Sequence, residues 1–211
     1  MALRGEFVAY YLILIVVNQV TFAQTNWTVG DLIRDGSMNI LLLRPLPPVL
    51  DAVATELAGK GVFLLFVGPV TLGLSLLLKP ELEWTMIGVM AFIPALILAW
   101  LLRFLWGYAL ALLAFWAARA DALLALTDAA IFLLAGQVAP ISLLPDLLRT
   151  FAVLLPFRYM LSFPVEVLMN RLDSTGLVLG FAMQGFWLVV ALFASVALWH
   201  RGVRRYAAVG G

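Results

Sequence analysis

The sequence contains no cysteine and a single histidine, His200, and both absences narrow the chemistry open to the chain. Without cysteine there is no disulfide, no thiolate nucleophile and no cysteine-ligated metal. The single histidine follows the last apolar run, so the apolar part of the chain holds neither a histidine metal cluster nor a serine–histidine dyad. We therefore assign no catalytic residue and no metal ligand, and we expect this chain to bind no cofactor.

Charged residues are also scarce. They form 12% of the 211 residues, whereas soluble domains usually carry about 25%. Hydrophobic residues form 64% of the chain, and the net charge of +1 offers no basic stripe for nucleic acid. This composition predicts one all-α domain over residues 1–211, a polytopic bundle of transmembrane helices, because helices satisfy their own backbone polar groups within lipid.

A transmembrane helix needs about 20 mostly apolar residues, and five runs are candidates for spans. They are Phe7–Gln24, Gly61–Leu78, Trp84–Ala118, Ala122–Val138 and Leu177–Trp199. The third run is unusually long and would reach about 50 Å as a helix. We favour one long helix projecting from the bilayer over two short spans around Arg103, because no turn-forming cluster lies there.

Prolines divide the segment Ala139–Ser174 into pieces of about eight residues, each too short to span. The pattern favours re-entrant or interfacial helices over one more kinked span.

Basic residues predict the orientation, because cytoplasmic loops are enriched in lysine and arginine. With five spans, the loop Thr28–Lys60, the turn at Arg119 and the C-terminal tail share one side, and that side carries more of the basic residues. We place it in the cytoplasm. The N-terminus and Ala139–Ser174 are then extracellular.

The loop Thr28–Lys60, here called the charged module, interrupts the apolar runs. Thr28 and Asp31 have the spacing of a helix capping box, and Gly36 suits a left-handed helix end. The run Arg44-Pro45-Leu46-Pro47-Pro48 then stops any helix, and a second helix restarts at Asp51. The leucines 41–43 are too apolar to be left exposed, which favours a protein partner over a helix lying on the membrane surface.

Three blocks of sequence resemble the type 2, exporter-type permease subunits of bacterial ATP-binding-cassette transporters. The first is in the charged module and consists of Ile33, Arg34, Gly36, Leu42, Leu43, Arg44, Pro45, Leu46 and Pro48. The second is Ala139–Pro145, and the third is Leu155–Met160 followed by Phe163–Glu166. Such permeases usually have six spans, so the resemblance implies that this chain lacks the family's first span.

The resemblance also implies partners. A permease of this kind forms half of a translocation path in the bacterial inner membrane, pairs with a second permease, identical or different, and is driven by a separate subunit that binds and hydrolyses ATP. The charged module would be the coupling loop. The residues expected to contact the ATP-binding subunit are Asp31, Arg34, Asp35, Gly36, Leu43, Arg44 and Pro45. The chain itself has no phosphate-binding loop, so we expect a transport permease rather than an enzyme.

Two charged residues, Arg103 and Asp128, fall within apolar runs, where ionisable groups usually face a cavity or a partner. Either they form a polar wall of the translocation path, or they are a structural ion pair between helices. The amides Asn18, Gln19, Gln137 and Gln184 in the apolar runs are expected to make interhelical hydrogen bonds rather than to bind substrate. The alternative functions are an intramembrane enzyme acting on lipid and a non-catalytic assembly subunit.

Overall fold

The computed structural model describes residues 2–80, 85–116 and 121–206, and these ranges contain helices and no strand. The ten α-helices described are α1 Ala2–Thr21, α2 Thr25–Arg34, α3 Met38–Leu42, α4 Pro48–Leu78, α5 Met86–Leu112, α6 Asp121–Leu134, α7 Asp146–Leu154, α8 Phe157–Met160, α9 Ser162–Leu168 and α10 Ser174–Val203. Short 3-10 turns cover Leu113–Phe115 and Ile141–Leu143. The prediction of an all-α transmembrane bundle is confirmed.

Three helical stretches in the described residues are long and apolar enough to cross a membrane, namely Gly5–Arg34, Met86–Phe115 and Ser174–Val203. Helix α4 is a fourth if its two halves, which meet at a 41° bend, count as one span. Helix α6 is apolar but has 14 residues, or about 21 Å, which is short for a complete span. The predicted span Ala122–Val138 therefore corresponds to a shorter helix.

The long third run is one helix, as expected, and not two spans around Arg103. It begins where the Thr85 hydroxyl accepts a hydrogen bond from the Gly88 backbone N–H at 3.1 Å, and it continues into the turn that ends at Phe115. Trp84, at the predicted start of the run, and the turn at Arg119 lie outside the described residues.

Within the charged module, the predicted start of the first helix is wrong. Helix α2 begins at Thr25, and the Thr28 hydroxyl donates to the Gln24 carbonyl at 3.3 Å inside the helix, so Thr28 caps nothing. The predicted end is correct, because Gly36 has a left-handed φ of 84°. The second helix begins earlier than the predicted Asp51, because α4 starts at Pro48 and a proline is tolerated in the first turn of a helix.

The described helices between residues 139 and 174 are short, with nine residues in α7, four in α8 and seven in α9. None can span a bilayer, which excludes the alternative of one more kinked span here. Asn170, with a φ of 52°, follows the last of them.

Contacts place this segment and the charged module at opposite ends of the bundle. At one end, Arg171 pairs with Glu6 at 3.0 Å and the Tyr10 hydroxyl donates to the Gly136 carbonyl at 2.8 Å. At the other end, Met38 of the module packs with Tyr108 near the C-terminal end of α5. The module and the C-terminal end of α10 thus share a side, in agreement with the predicted topology. The cytoplasmic location of that side stays a prediction.

A close approach between α9 and α10 gives a test of this packing. A Cβ added at Gly180 would lie 2.0 Å from the ring of Phe163, which is fully buried, whereas a Cβ at Gly185 on the same helix would meet nothing within 4 Å. We expect Gly180→Ala to destabilise the protein by about 1–3 kcal/mol through overpacking. Gly185→Ala should be neutral or stabilising by up to about 1 kcal/mol. Thermal unfolding in detergent measures both, and equal stability of the two variants would contradict this packing.

Candidate coupling module and intramembrane cavity

The charged module has a buried base and an exposed apolar tip. The base is formed by Val29, Ile33, Met38 and Leu41, which pack against the aromatic and aliphatic side chains of the C-terminal half of α5. The tip is formed by Ile40, Leu42, Leu43 and Leu46. Leu43 is the most exposed of these, at 88% of its surface. The base therefore holds the tip in place while leaving its leucines uncovered.

Charged side chains surround the tip. Arg34 pairs with Asp31 within α2, and Arg44 pairs with Asp51 at 3.1 Å across the proline run. The Ser37 backbone N–H donates to Asp35 at 2.8 Å, and this hydrogen bond lowers the pKa of the Asp35 carboxyl. The carboxylate thus fixes the turn that carries Gly36.

The predicted ATPase contacts are all at least partly exposed. Asp31, Asp35, Leu43, Arg44 and Pro45 are exposed and lie at the end of α2, in the following turn and in the proline run. Arg34 and Gly36 are partly exposed. Their contact with an ATP-binding subunit stays a prediction.

A break of three residues, 22–24, separates α1 from α2 within the stretch Gly5–Arg34 and is called the joint. Two side chains of α4 contact it. The Glu56 carboxylate accepts hydrogen bonds from the Gln24 backbone N–H at 2.6 Å and from the Thr25 hydroxyl at 2.9 Å. The Lys60 ammonium donates to the Phe22 carbonyl.

The side chain of Arg103, on α5, contacts the C-terminal end of α1 close to the joint. Its guanidinium donates to the Asn18 side-chain oxygen at 2.8 Å and to the Thr21 hydroxyl at 3.3 Å. It also lies over the Phe22 ring, 5.2 Å from the centroid. These contacts satisfy a charge that would otherwise be costly between apolar helices.

Arg103 and Asp128 line the same cavity, of about 260 Å³, between α1, α2, α5 and α6. Polar side chains of Asn18, Asn26 and Gln137 and several aromatic rings complete its wall. Among the described residues, Asp128 has no hydrogen bond and no ion pair, and its electrostatic interaction is with Arg103. The cavity is therefore amphipathic, with a carboxylate available to an occupant.

Two of the four predicted interhelical amides act as expected, whereas the side chains of Gln19 and Gln137 make no hydrogen bond within the described residues. Asn18 bonds to Arg103, as described, and the buried Gln184 donates to the carbonyls of Ala95 and Tyr159, both at 3.0 Å. Gln184 thereby joins α10 to α5 and α8.

Sequence reasoning missed two pairs of residues. One is the ion pair of Arg158 with Glu166 at 2.6 Å, in which both side chains are largely buried. The other is Glu56 with Lys60, whose spacing of four residues at the start of an otherwise apolar helix was the available signal.

Catalytic chemistry has little support in the part of the chain that the structure describes. It contains no group of three or more histidine, cysteine, aspartate or glutamate side chains that could hold a metal ion. His200 is exposed near the C-terminal end of α10.

The hydrogen bonds of Arg103 predict the effect of removing its main partner. Asn18→Leu should destabilise the protein by about 1.5–3 kcal/mol, because a charged donor loses its acceptor in an apolar setting. The neighbouring amide Gln19 is the matched control, since no hydrogen bond of its side chain occurs in the described residues. Gln19→Leu should change stability by less than about 0.5 kcal/mol. Thermal unfolding of the two variants in one detergent compares them, and an equal loss would show that Asn18 does not support Arg103.

Comparison with known proteins gives one match. No curated protein and no solved structure matches the chain. The family model described as "ABC-2 family transporter protein" matches residues 4–210. Because that match covers nearly the whole chain, this protein belongs to the ABC-2 family of transporter proteins and is a multi-pass membrane permease.

Proposed function

We propose that this chain is the membrane-spanning permease subunit of an ATP-binding-cassette exporter, and that its charged module docks on a separate ATP-binding subunit. The observation that carries the proposal is the apolar tip. Leu43, Leu46 and Ile40 are 88%, 63% and 61% exposed beside arginine and aspartate side chains. Leaving such a surface in water is unfavourable, and a partner that covers it would recover that free energy.

The module is also suited to carry force. Its base is part of the apolar core, so the tip is not a loose loop. The proline run and the Arg44–Asp51 ion pair fix the path of the chain into α4. A push on the tip during ATP-driven closure of the partner would therefore act on α2 and α4 together.

The cavity at Arg103 and Asp128 is proposed as part of the translocation path. Arg103 already has its partners on α1, whereas Asp128 has no hydrogen bond within the described residues. This arrangement supports the polar wall over the structural ion pair. The other half of the path would come from a second permease subunit, identical or different, in the bacterial inner membrane.

The two alternative functions make different demands. A metal-dependent enzyme acting on lipid needs a cluster of metal ligands, and the described part of the chain contains no group of three or more histidine, cysteine, aspartate or glutamate side chains that could hold a metal ion. A non-catalytic assembly subunit would bind a partner without responding to ATP. A response to ATP therefore distinguishes a permease from such an assembly subunit.

Placing a charge on the tip tests the docking. Leu43→Asp should weaken binding of the co-expressed ATP-binding subunit about 30-fold, the effect of losing a central contact worth about 2 kcal/mol. Co-purification from detergent and titration of the purified subunits measure the binding.

Leu147→Asp is the control, because it places the same charge on a leucine that is 70% exposed on α7, outside the charged module. It should bind as the unmodified chain does. Wild-type binding by Leu43→Asp would remove the tip from the interface and leave the proposed docking without its main support.

A further inference from the structure

The joint brings two helix ends together inside the bundle. Helix α1 ends at Thr21 and α2 begins at Thr25, so the C-terminal carbonyls of one helix and the N-terminal N–H groups of the other lack partners within their own helices. The Gln24 side chain does not cap α2. Partners for these backbone groups must come from elsewhere in the chain.

Glu56 and Lys60, here called the clamp, supply those partners from one helix. They are four residues apart on α4 and so lie on the same face. Glu56 accepts from the backbone N–H of Gln24 at the start of α2, and Lys60 donates to the carbonyl of Phe22 at the end of α1. The sign of each charge suits its position, because a helix N-terminus attracts a carboxylate and a helix C-terminus attracts an ammonium group.

The clamp is also adjacent to the groups that hold Arg103. The Phe22 carbonyl accepts a hydrogen bond from Lys60, and the Arg103 guanidinium lies over the Phe22 ring. The Lys60 ammonium further lies 5.8 Å from the centroid of the Trp100 ring, three residues before Arg103 on α5. A continuous set of contacts therefore runs from Glu56 and Lys60 on α4, through the joint, to the wall of the cavity.

We propose that Glu56 and Lys60 are positioning residues that transmit movement of the docked module to Arg103 and the cavity. Three non-helical residues would otherwise act as a hinge and absorb that movement. With both helix ends held by α4, a displacement of the module is carried into the end of α1 and so to Asn18, Thr21 and Arg103. This inference rests on the proposed docking of the module on an ATP-binding subunit.

Exchange of the two charges distinguishes the clamp from an ordinary ion pair within α4. An ion pair between residues four apart survives when the acidic and basic positions are exchanged, apart from a few tenths of a kcal/mol. The contacts of the clamp are lost on exchange. A lysine would then face the N-terminus of α2 and a glutamate the C-terminus of α1, and each charge is unfavourable at that helix end. Glu56→Lys combined with Lys60→Glu should therefore be at least as damaging as Glu56→Gln.

Amide hydrogen exchange tests the clamp in the isolated protein, without any partner. Glu56→Gln keeps the shape and an acceptor oxygen but removes the negative charge at the N-terminus of α2, which should accelerate exchange over residues 22–28 about fivefold. Thr55→Ala is the matched control, because among the described residues the Thr55 hydroxyl bonds to the Asp51 carbonyl of its own helix and to no other group. An unchanged exchange rate in Glu56→Gln, or its recovery in the charge-exchanged chain, would overturn the clamp.

Spin-label distances test the transmission in the complex with the ATP-binding subunit. The chain has no cysteine, so Leu50→Cys on α4 and Leu133→Cys on α6 give two defined label sites, both exposed and outside the tip. With intact clamp residues we expect the distance to change on trapping with ATP and vanadate. Glu56→Gln and Lys60→Met should lose at least half of that change while binding the ATP-binding subunit within about twofold of the unmodified chain, the range expected of a substitution outside the interface.

The outcomes separate the two proposals. A full distance change in both clamp variants, or no ATP-dependent change in the unmodified complex, overturns the transmission through the joint. Failure of the unmodified chain to bind the ATP-binding subunit overturns the proposed function instead, and hydrogen exchange then still decides whether the clamp exists.

Discussion

A guanidinium group lies between apolar helices, and the arrangement around it depends on how its charge is satisfied. Arg103 finds its acceptors on α1, at Asn18 and Thr21, and an aromatic ring at Phe22. Since an unpaired charge in this setting is costly, these contacts fix how the end of α1 lies against α5. The same end of α1 is where the chain breaks and turns into the charged module. The need to satisfy the charge of Arg103 therefore links the cavity to the charged module.

The fold could be predicted from the sequence wherever the signal is local. The long run around Arg103 is one helix because it contains no turn-forming cluster, and Gly36 ends α2 because a left-handed residue is needed there. The start of α2 was predicted wrongly because its cap is not local. Thr28 has a suitable sequence, but the carboxylate at the helix start belongs to Glu56, 32 residues beyond Gln24. No pattern within α2 reveals a partner on another helix.

The candidate site likewise has a part that the sequence predicts and a part that it does not. The residues predicted to contact an ATP-binding subunit lie within one stretch of 15 residues, so a local motif identifies them, and the structure leaves each of them at least partly exposed. That Arg103 and Asp128 line one cavity follows from the packing of α1, α5 and α6, which the sequence does not specify. The acceptors of Arg103 are more than 80 residues away. Residues so far apart in the chain form no periodic pattern, so their contact cannot be predicted from a single sequence.

The two ends of the bundle are stabilised differently, and this difference bears on how a movement could pass through it. At the end that holds residues 139–172, Arg158 and Glu166 form a largely buried pair, and Gln184 joins three helices through backbone carbonyls. Displacing these side chains would break hydrogen bonds of buried polar groups, which is costly. At the other end, the module has an exposed apolar tip, and two charged side chains hold it to the end of α1 at the joint. A force applied at the tip would therefore reach α1 at the joint, whereas the opposite end resists displacement. This asymmetry makes the cavity beside the joint the part of the bundle that would respond.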